Sequence, residues 1–483
     1  MNTALLLAAA IAWSGALHAG RPDVGSPAAR RARHAAVPAV TPAVTPAVRR
    51  RDPPSAPTAA RARTTARART AADTATTRIV VNGIPVIIRR VSANDVVTAN
   101  VYLLGGLRQV SNDNAGIESF LLDVSERGTR HFTRDRLRQT MARLGTAIVV
   151  DPAVDWTALG VRATAATFDS TWAVMADRLM YPTLDSADVE LIREQYRSAV
   201  RQRGDSPDAL VEYLADSATY AGTAYGRPLA GTERSIASIN RAQLRAYEQT
   251  QIVRSRLLVV VVGNVVPARV EQLVRRTLGQ LPAGAYHWTI PQASPLVQSL
   301  LVARQRELPT NYILGYYQGP PASSADYQAL RVAAAALSGQ FFEEIRSKRN
   351  LSYAVNAPFV DRALSAGGFY VTTVAPDSVL EIMHHELGVM QSNLVDPSAL
   401  DRLVQQFITE YFLDNETNAD QANLLVRAEL YRGDFREADR FVDELRKVTP
   451  RDIQRVARTY MKHVAFAYVG DTTRVSRAVV EEF

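Results

Sequence analysis

From residue 78 onwards, short apolar runs alternate with turn residues. Residues 78–90 read RIVVNGIPVIIRR, two apolar β-branched runs on either side of Asn82-Gly83. An Asn-Gly pair between two such runs is the strongest short-range signal for a β-hairpin. The run VVTANVYLLGG, residues 96–106, predicts a further strand.

The spacing of apolar residues then changes from strand-like to helical. In AGIESFLLDVSERGT, residues 115–129, apolar side chains recur at intervals of three and four residues, which predicts one short buried helix. We expect Asp113 or Asn114 to cap its start and Gly128 to end it. The apolar positions are Ile117, Phe120, Leu121 and Val124.

Helices and strands alternate through the rest of the first half. Residues 134–145 read as a helix that ends at Gly145, and residues 147–163 read as paired strands. A long helix follows over residues 186–202, with Ser186 as its cap. Helices that cover one face of an antiparallel sheet form an α+β layer, so we predict an α+β fold.

The second half repeats this plan. Residues 239–265 and 448–472 each read as a helix followed by a β-branched strand, which closes on Gly263-Asn264 or Gly470-Asp471. The strand NYILGYYQGPP at Asn311 parallels the earlier NVYLLGG. We therefore predict two copies of one domain, over residues 78–281 and 301–483, with a linker at 282–300.

The N-terminal region has a different composition from the rest. Residues 1–19 contain an apolar core followed by small residues, which predicts a signal peptide and an exported protein, periplasmic or secreted. Residues 20–77 are rich in Ala, Pro, Thr and Arg and lack large apolar side chains, so we expect a disordered tether. An N-terminal membrane anchor is the alternative, but the apolar stretch is too short to span a bilayer.

Charge and cysteine content narrow the possible functions. Residues 20–78 hold twelve Arg against three Asp, and because the whole chain carries +8, residues 79–483 are left with −1. A basic tether can touch nucleic acid or anionic membranes, but it lacks interleaved aromatic residues, so we expect a solvated linker and no specific nucleic-acid partner. No Cys occurs, which excludes disulfides and a cysteine nucleophile.

Four segments together resemble one known family. In the family this helix reads Gly-x-x-His-x-x-Glu-His and closes on Gly-Thr. The helix at 115–129 has the first Gly of this pattern, Gly116, and the closing pair Gly128-Thr129. YGRPLAGTERSI at 225–236, VVVVGNV at 259–265 and FFEEIRSKRNLSYAV at 341–355 match further family segments. On these residues the chain resembles the pitrilysin/insulinase family of zinc peptidases, which implies two homologous domains that form half of a clamshell.

The resemblance also implies that the metal chemistry is missing. Ser119 and Asp123 stand where the family has its two histidine ligands, and Leu122 stands where it has the catalytic glutamate. Counting back from Pro207 places Ala199 at the third ligand, a glutamate in the family. We call Ser119, Leu122, Asp123 and Ala199 the degenerate metal site.

Zinc hydrolysis needs three ligands, an open position and a base. No pair among the seven His replaces the lost ligands, so we expect no metal and no cofactor in this chain, although weak metal binding by Asp123 stays open. Serine catalysis is the alternative for Ser119, but no Gly-x-Ser-x-Gly elbow and no nearby His support it. We expect Ser119 and Asp123 to form a local hydrogen bond that fills the metal position.

The second domain keeps residues with binding chemistry. Arg346 and Tyr353 match an Arg/Tyr pair that, in bacterial members of the family, holds the substrate peptide. A guanidinium binds carbonyl or carboxylate groups, and a phenol hydrogen-bonds a carbonyl. Asn350 replaces the family's usual Gly and also tolerates a left-handed turn. The alternative is structural, with Arg346 paired to Glu343 or Glu344 and Tyr353 filling core space.

These observations favour a zinc-less pseudo-peptidase subunit. The family resemblance implies a related zinc-bearing partner that supplies metal and base, while this chain contributes Arg346 and Tyr353 as substrate-binding residues and no catalytic residue. The substrate would be a peptide or unfolded polypeptide, bound partly as an added β-strand. The alternative is a peptide-binding or scaffold protein on the same fold with no proteolytic role, and independent hydrolysis through Asp123 is a third possibility.

Overall fold

The first half of the chain forms a six-stranded sheet. In the computed structural model, which describes residues 76–292, 294 and 296–483, its strands are ordered β1-β2-β6-β3-β5-β4. All neighbouring pairs are antiparallel except β2 and β6, which are parallel. The strands are β1 (Thr76–Val81), β2 (Ile84–Arg90), β3 (Val96–Leu104), β4 (Ala147–Pro152), β5 (Trp156–Thr164) and β6 (Leu257–Gly263).

The predicted hairpin at the start of this sheet is confirmed. Val81 pairs with Ile84, and the two residues between them have positive φ angles, 49° at Asn82 and 86° at Gly83. Left-handed geometry at both positions is the property for which Asn-Gly is favoured in two-residue hairpins. The predicted signal peptide and tether lie outside the described residues, apart from the first residues of β1.

Eight helices are described in this half. As predicted, α2 ends at Gly145, which adopts φ 61°. The long α4 starts at Ser186 but continues to Asp205, and Asp185 occupies its cap position. The helices are α1 (Ile117–Val124), α2 (Arg134–Leu144), α3 (Phe168–Met180), α4 (Ser186–Asp205), α5 (Pro207–Thr219), α6 (Glu233–Ser238), α7 (Arg241–Gln251) and α8 (Pro267–Arg276).

The predicted start of α1 was wrong, whereas the helical stretch does end at Gly128, after one 3₁₀ turn beyond the α-helix. Gly116, at φ 90°, precedes the first helical residue and makes no side-chain cap, whereas the Asn114 side chain accepts from the backbone N–H of Ser111 at 2.6 Å. After Val124 a short 3₁₀ turn continues the chain, and Gly128 has an extended backbone with φ 163°. The Asn114 side chain therefore bonds within the preceding loop and does not cap the helix.

The second half forms another six-stranded sheet, ordered β10-β11-β8-β12-β7, with β9 also pairing with β11. Its strands are β7 (Leu300–Gln305), β8 (Asn311–Pro321), β9 (Val355–Asn356), β10 (Phe359–Val360), β11 (Leu364–Thr373) and β12 (Ala465–Gly470). Its helices are α9 (Asp326–Phe341), α10 (Pro376–Ser392), α11 (Pro397–Asp414), α12 (Asn418–Arg432), α13 (Phe441–Leu445), α14 (Pro450–Tyr460) and α15 (Arg477–Glu481).

The two sheets share one connectivity. In each half the last strand lies next to a long antiparallel strand on one side and pairs in parallel with an early strand on the other, as β6 does with β2 and β12 does with β7. This agrees with the predicted duplication and with the α+β class. The sheets are mainly antiparallel, as expected, but the single parallel pair in each was not predicted. The domain boundaries at 281 and 301 stay a prediction.

Each sheet is covered on its second face by a helix from the other half. Leu425 and Val426 of α12 belong to one buried cluster with Tyr102 and Val260 of the first sheet. Reciprocally, residues of α5 pack on the second sheet, where Leu214 shares a buried cluster with residues of β8 and β12. Burial on both faces explains why β6, LLVVVVG, is apolar throughout. Each half would expose an apolar face without the other.

A buried carboxylate also joins the halves. Asp155, between β4 and β5, is 1% exposed. Its Oδ2 accepts from the Tyr431 hydroxyl at 2.7 Å and from the backbone N–H of Ala363 at 2.9 Å, both in the second half. Its Oδ1 accepts from the hydroxyl of Tyr225.

Within the described part of the chain, no helix is long and apolar enough to cross a membrane.

Candidate functional site

The helix α1 carries three positions of the degenerate metal site and is largely buried. Its four predicted apolar positions are all at most 2% exposed, as is Leu122 at 1%, while Ser119 is 7% exposed. Leu122, which stands where the family has its base, therefore packs as a core residue. The predicted buried helix is confirmed, and it sits in the main apolar cluster of the first half.

Asp123 is bonded to a neighbouring helix. Its Oδ2 accepts from the hydroxyl of Tyr196 on α4 at 2.7 Å. The Tyr196 ring also contacts the Phe120 ring of α1, with centroids 5.1 Å apart. The local Ser119–Asp123 hydrogen bond predicted from the sequence is replaced by this bond between helices. Two of the family's ligand positions, Ser119 and Asp123, lie on α1, and the third, Ala199, lies on α4. The hydrogen bond therefore joins the two helices that carry the ligand positions.

The residues of the degenerate metal site do not fit zinc. Of the three ligand positions, Ala199 has no donor atom, Ser119 offers a hydroxyl, and the Asp123 carboxylate already accepts from Tyr196. Among the described residues, no group of three or more His, Cys or acidic side chains is arranged to hold a metal ion. A structural or catalytic zinc takes three or four nitrogen, sulfur or carboxylate ligands. That the chain itself carries no zinc stays a prediction.

Two acidic residues earlier on α4 lie on its solvated face. Glu190 and Glu194 are exposed, and each pairs with an arginine three residues further along the helix. Pairs of this spacing are ordinary helix-surface contacts. Neither carboxylate belongs to the site.

Sequence reasoning missed a buried ion pair on α1. Glu118 is 5% exposed, and its Oε2 accepts from Arg256 at 2.8 Å and from the Tyr247 hydroxyl at 2.9 Å. Arg256 also donates to the carbonyl of Leu104 at 2.8 Å. Burial, reinforced by the Glu118 charge, raises the pKa of Tyr247 well above its usual value. The only sequence signal was an acidic residue inside an apolar helix.

The strand β4 forms an open edge of the first sheet. It is the last strand in the order, and within residues 76–292, 294 and 296–483 no other strand pairs with its outer side. The helix α1 packs against β4, so this edge runs beside the degenerate metal site. An open strand edge offers backbone N–H and C=O groups to an extended peptide.

Arg346 and Tyr353 lie in the second half, on a turn after α9. The helix continues as a π-helical segment, Phe342–Ser347, in which Arg346 is exposed and its guanidinium lies 4.9 Å from the centre of the Phe342 ring. Asn350 has φ 52°, the left-handed geometry that we expected at this position. Tyr353 is 78% exposed.

The structural alternative for these two residues does not hold. Glu343 and Glu344 pair with Lys348, and Glu344 also pairs with Arg349. Within the described chain Arg346 has no ion pair. An aromatic side chain that is 78% exposed does not fill core space. Peptide binding by Arg346 and Tyr353 itself stays a prediction.

Comparison with protein families identifies both halves. The profile described as Insulinase (Peptidase family M16) matches residues 86–233, and the profile described as Peptidase M16 inactive domain matches residues 238–407. Together they cover about two thirds of the chain.

Curated relatives are distant but align over most of their length. The uncharacterized zinc protease YmxG of Bacillus subtilis is 20% identical over 386 residues, which cover 78% of this chain and 93% of that protein. The mitochondrial-processing peptidase subunit beta of Blastocladiella emersonii is 24% identical over 423 residues, covering 82% of this chain and 88% of that protein.

Solved structures share the fold. A protease from Helicobacter pylori matches with a TM-score of 0.75 at 15% identity, covering 82% of this chain and 99% of that one. A peptidase M16 inactive domain from Pseudomonas fluorescens matches with a TM-score of 0.75 at 16% identity, covering 82% and 98%. The periplasmic protease PqqL from Escherichia coli matches with a TM-score of 0.68 at 16% identity, covering 82% of this chain and 45% of that one.

Proposed function

The chain belongs to the M16 (insulinase) family of peptidases, and from that premise we propose that it is a zinc-less subunit that binds peptides for a related, zinc-bearing partner. One observation carries this proposal. The helix α1 keeps its buried place in the fold, while Ser119, Leu122 and Ala199 supply neither ligands nor a base. A chain of this kind contributes to hydrolysis only through binding.

The division of labour follows from the chemistry of each site. The partner supplies the metal, which generates the nucleophilic water, and the base that accepts its proton. This chain holds the peptide. Arg346 and Tyr353 are exposed, and Arg346 has no ion pair within the described residues, which supports a role in contacting the backbone or an anionic group of the substrate.

The open edge of β4 supports the same proposal. An extended peptide that adds to this edge gains main-chain hydrogen bonds that do not depend on its sequence. Such binding suits peptides or unfolded segments, whose backbone groups are largely unpaired. We further propose that the assembly works outside the cytoplasm, on the strength of the signal-like residues 1–19.

The experiment is reconstitution. The full chain is purified with and without a relative from the same organism that carries an intact His-x-x-Glu-His motif, and cleavage of a fluorogenic unfolded peptide is measured. We expect cleavage to rise at least tenfold when both chains are present, and Arg346→Ala or Tyr353→Phe to remove most of that rise. Arg451→Ala is the control, because Arg451 is also an exposed arginine on a helix of the second half.

Three results would contradict the proposal. Equal cleavage with and without this chain, in a complex that still forms, would indicate a scaffold. Unchanged activity in both Arg346→Ala and Tyr353→Phe would remove their proposed role. Cleavage by the isolated chain that is lost in Asp123→Asn would indicate independent hydrolysis.

A further inference from the structure

The turn that carries Arg346 and Tyr353 is anchored on both sides. Before it, α9 runs without a break into the π-helical segment, and the backbone N–H of Leu351 donates to the carbonyl of Ile345 at 2.9 Å. After it, β9 pairs with β11 of the second sheet. The two exposed side chains are thus carried on an anchored backbone, so the backbone loses little entropy when a ligand binds.

Of the three basic residues on this turn, Arg346 is the one without an ion pair among the described residues. The neighbouring acidic residues are engaged, since Lys348 contacts Glu343 at 3.1 Å and both Lys348 and Arg349 bond to Glu344. Arg346 has no ion pair among the described residues and rests on the Phe342 ring at 4.9 Å. This cation–π contact favours a position of the guanidinium over the ring, and its N–H groups donate to no acceptor among the described residues.

We propose that Arg346 receives the terminal carboxylate of a peptide, so that this turn selects peptides with a free carboxyl end. The inference rests on the proposed peptide-binding function of the turn and names its ligand. A guanidinium fork matches a carboxylate with two parallel hydrogen bonds between opposite charges, whereas a terminal amide offers one carbonyl oxygen and no negative charge. The exposed phenol of Tyr353 offers a further donor on the same turn.

The test uses one unfolded ten-residue peptide in two forms, with a free C-terminal carboxylate and with a C-terminal amide, both labelled at the N-terminus. Binding to the full chain is measured by fluorescence anisotropy at fixed, moderate ionic strength. We expect amidation to weaken binding about tenfold in the wild type and in the control Arg451→Ala. In Arg346→Ala the two forms should bind equally.

The outcomes separate this inference from the proposed function. If both forms bind the wild type equally but Arg346→Ala weakens both, carboxylate selection is wrong and the peptide-binding role stands. If Arg346→Ala changes the binding of neither form, carboxylate selection and the proposed role of Arg346 are both wrong. If neither form binds the wild type, the proposed peptide binding by this chain is wrong as well.

A second variant tests how Arg346 is positioned. Phe342→Leu keeps an apolar side chain under the guanidinium but removes the aromatic face. We expect it to reduce the preference for the free carboxylate about two- to fivefold, the range of one exposed cation–π contact. An unchanged preference would show that Phe342 does not position Arg346.

Discussion

The hydroxyl of Tyr196 tests how α1 is held to α4. It donates to Asp123 at 2.7 Å, while its ring contacts Phe120. Tyr196→Phe removes the hydroxyl and keeps the ring, so the variant isolates the hydrogen bond from the packing. We expect a less stable protein with an unchanged fold.

The size of the effect follows from the burial of the pair. A hydrogen bond to a charged group contributes about 1.5–3 kcal/mol, and exposure to water lowers that contribution. Asp123 and Tyr196 are both partly buried, so the lower end applies. We expect Tyr196→Phe to lower the free energy of unfolding by about 1–1.5 kcal/mol.

The assay is urea unfolding of the full chain, followed by far-UV circular dichroism. Tyr213→Phe is the control, because Tyr213 is also a half-buried helical tyrosine whose ring makes a contact, here a cation–π contact with Arg203, but its hydroxyl has no hydrogen bond among the described residues. A double-mutant cycle with Asp123→Ala isolates the pair. Equal stability of Tyr196→Phe and Tyr213→Phe, or a coupling energy near zero, would refute the reasoning.

Three further predictions concern stability. Tyr317→Phe should raise the free energy of unfolding by about 1–2 kcal/mol, because the buried Tyr317 hydroxyl has no partner among the described residues, whereas Tyr468→Phe should lower it by losing a 2.7 Å bond to a carbonyl. Burial alone would raise the pKa of Asp361, but Arg427 and Arg331 lower it from 3.8 to about 2. A lowered pKa stabilises the fold above about pH 4 and loses that effect as the pH falls towards 2, so the stability difference between wild type and Asp361→Asn, measured by urea unfolding, should be constant from pH 7 to 5 and shrink below pH 4. Added zinc or EDTA should leave the thermal midpoint of the purified chain unchanged, and a midpoint raised by zinc would contradict the expected absence of a metal site.

Local signals in the sequence predicted local structure well. The hairpin at Asn82-Gly83 and the end of α2 at Gly145 each depend on a left-handed backbone. Because few residue types adopt this conformation, the residue types themselves predict it. The start of α1 was predicted wrongly because Asn114 had two uses available, a cap or a loop bond to Ser111. The sequence does not say which of the two bonds forms.

Contacts between distant segments were not predictable in the same way. The pairing of β2 with β6 and the burial of Glu118 against Arg256 join residues far apart in the chain. The bond from Tyr196 to Asp123 is of the same kind, and it engages the one acidic side chain at the three ligand positions. Hydrophobic spacing gave the buried helix, but polar partners inside a core depend on the packing of several elements at once.

The two halves of the protein differ in what surrounds the residues at the family's functional positions. In the first half, the positions that would serve a metal are absorbed into the structure: Leu122 packs in the core, and Asp123 ties α1 to α4. In the second half, Arg346 and Tyr353 stay exposed on an anchored turn and contribute little burial. A rigid turn that presents a large aromatic side chain to water gains no stability from that exposure. An exposed aromatic side chain on an anchored backbone is the arrangement expected of a binding surface, and this supports the proposed peptide-binding role of Arg346 and Tyr353.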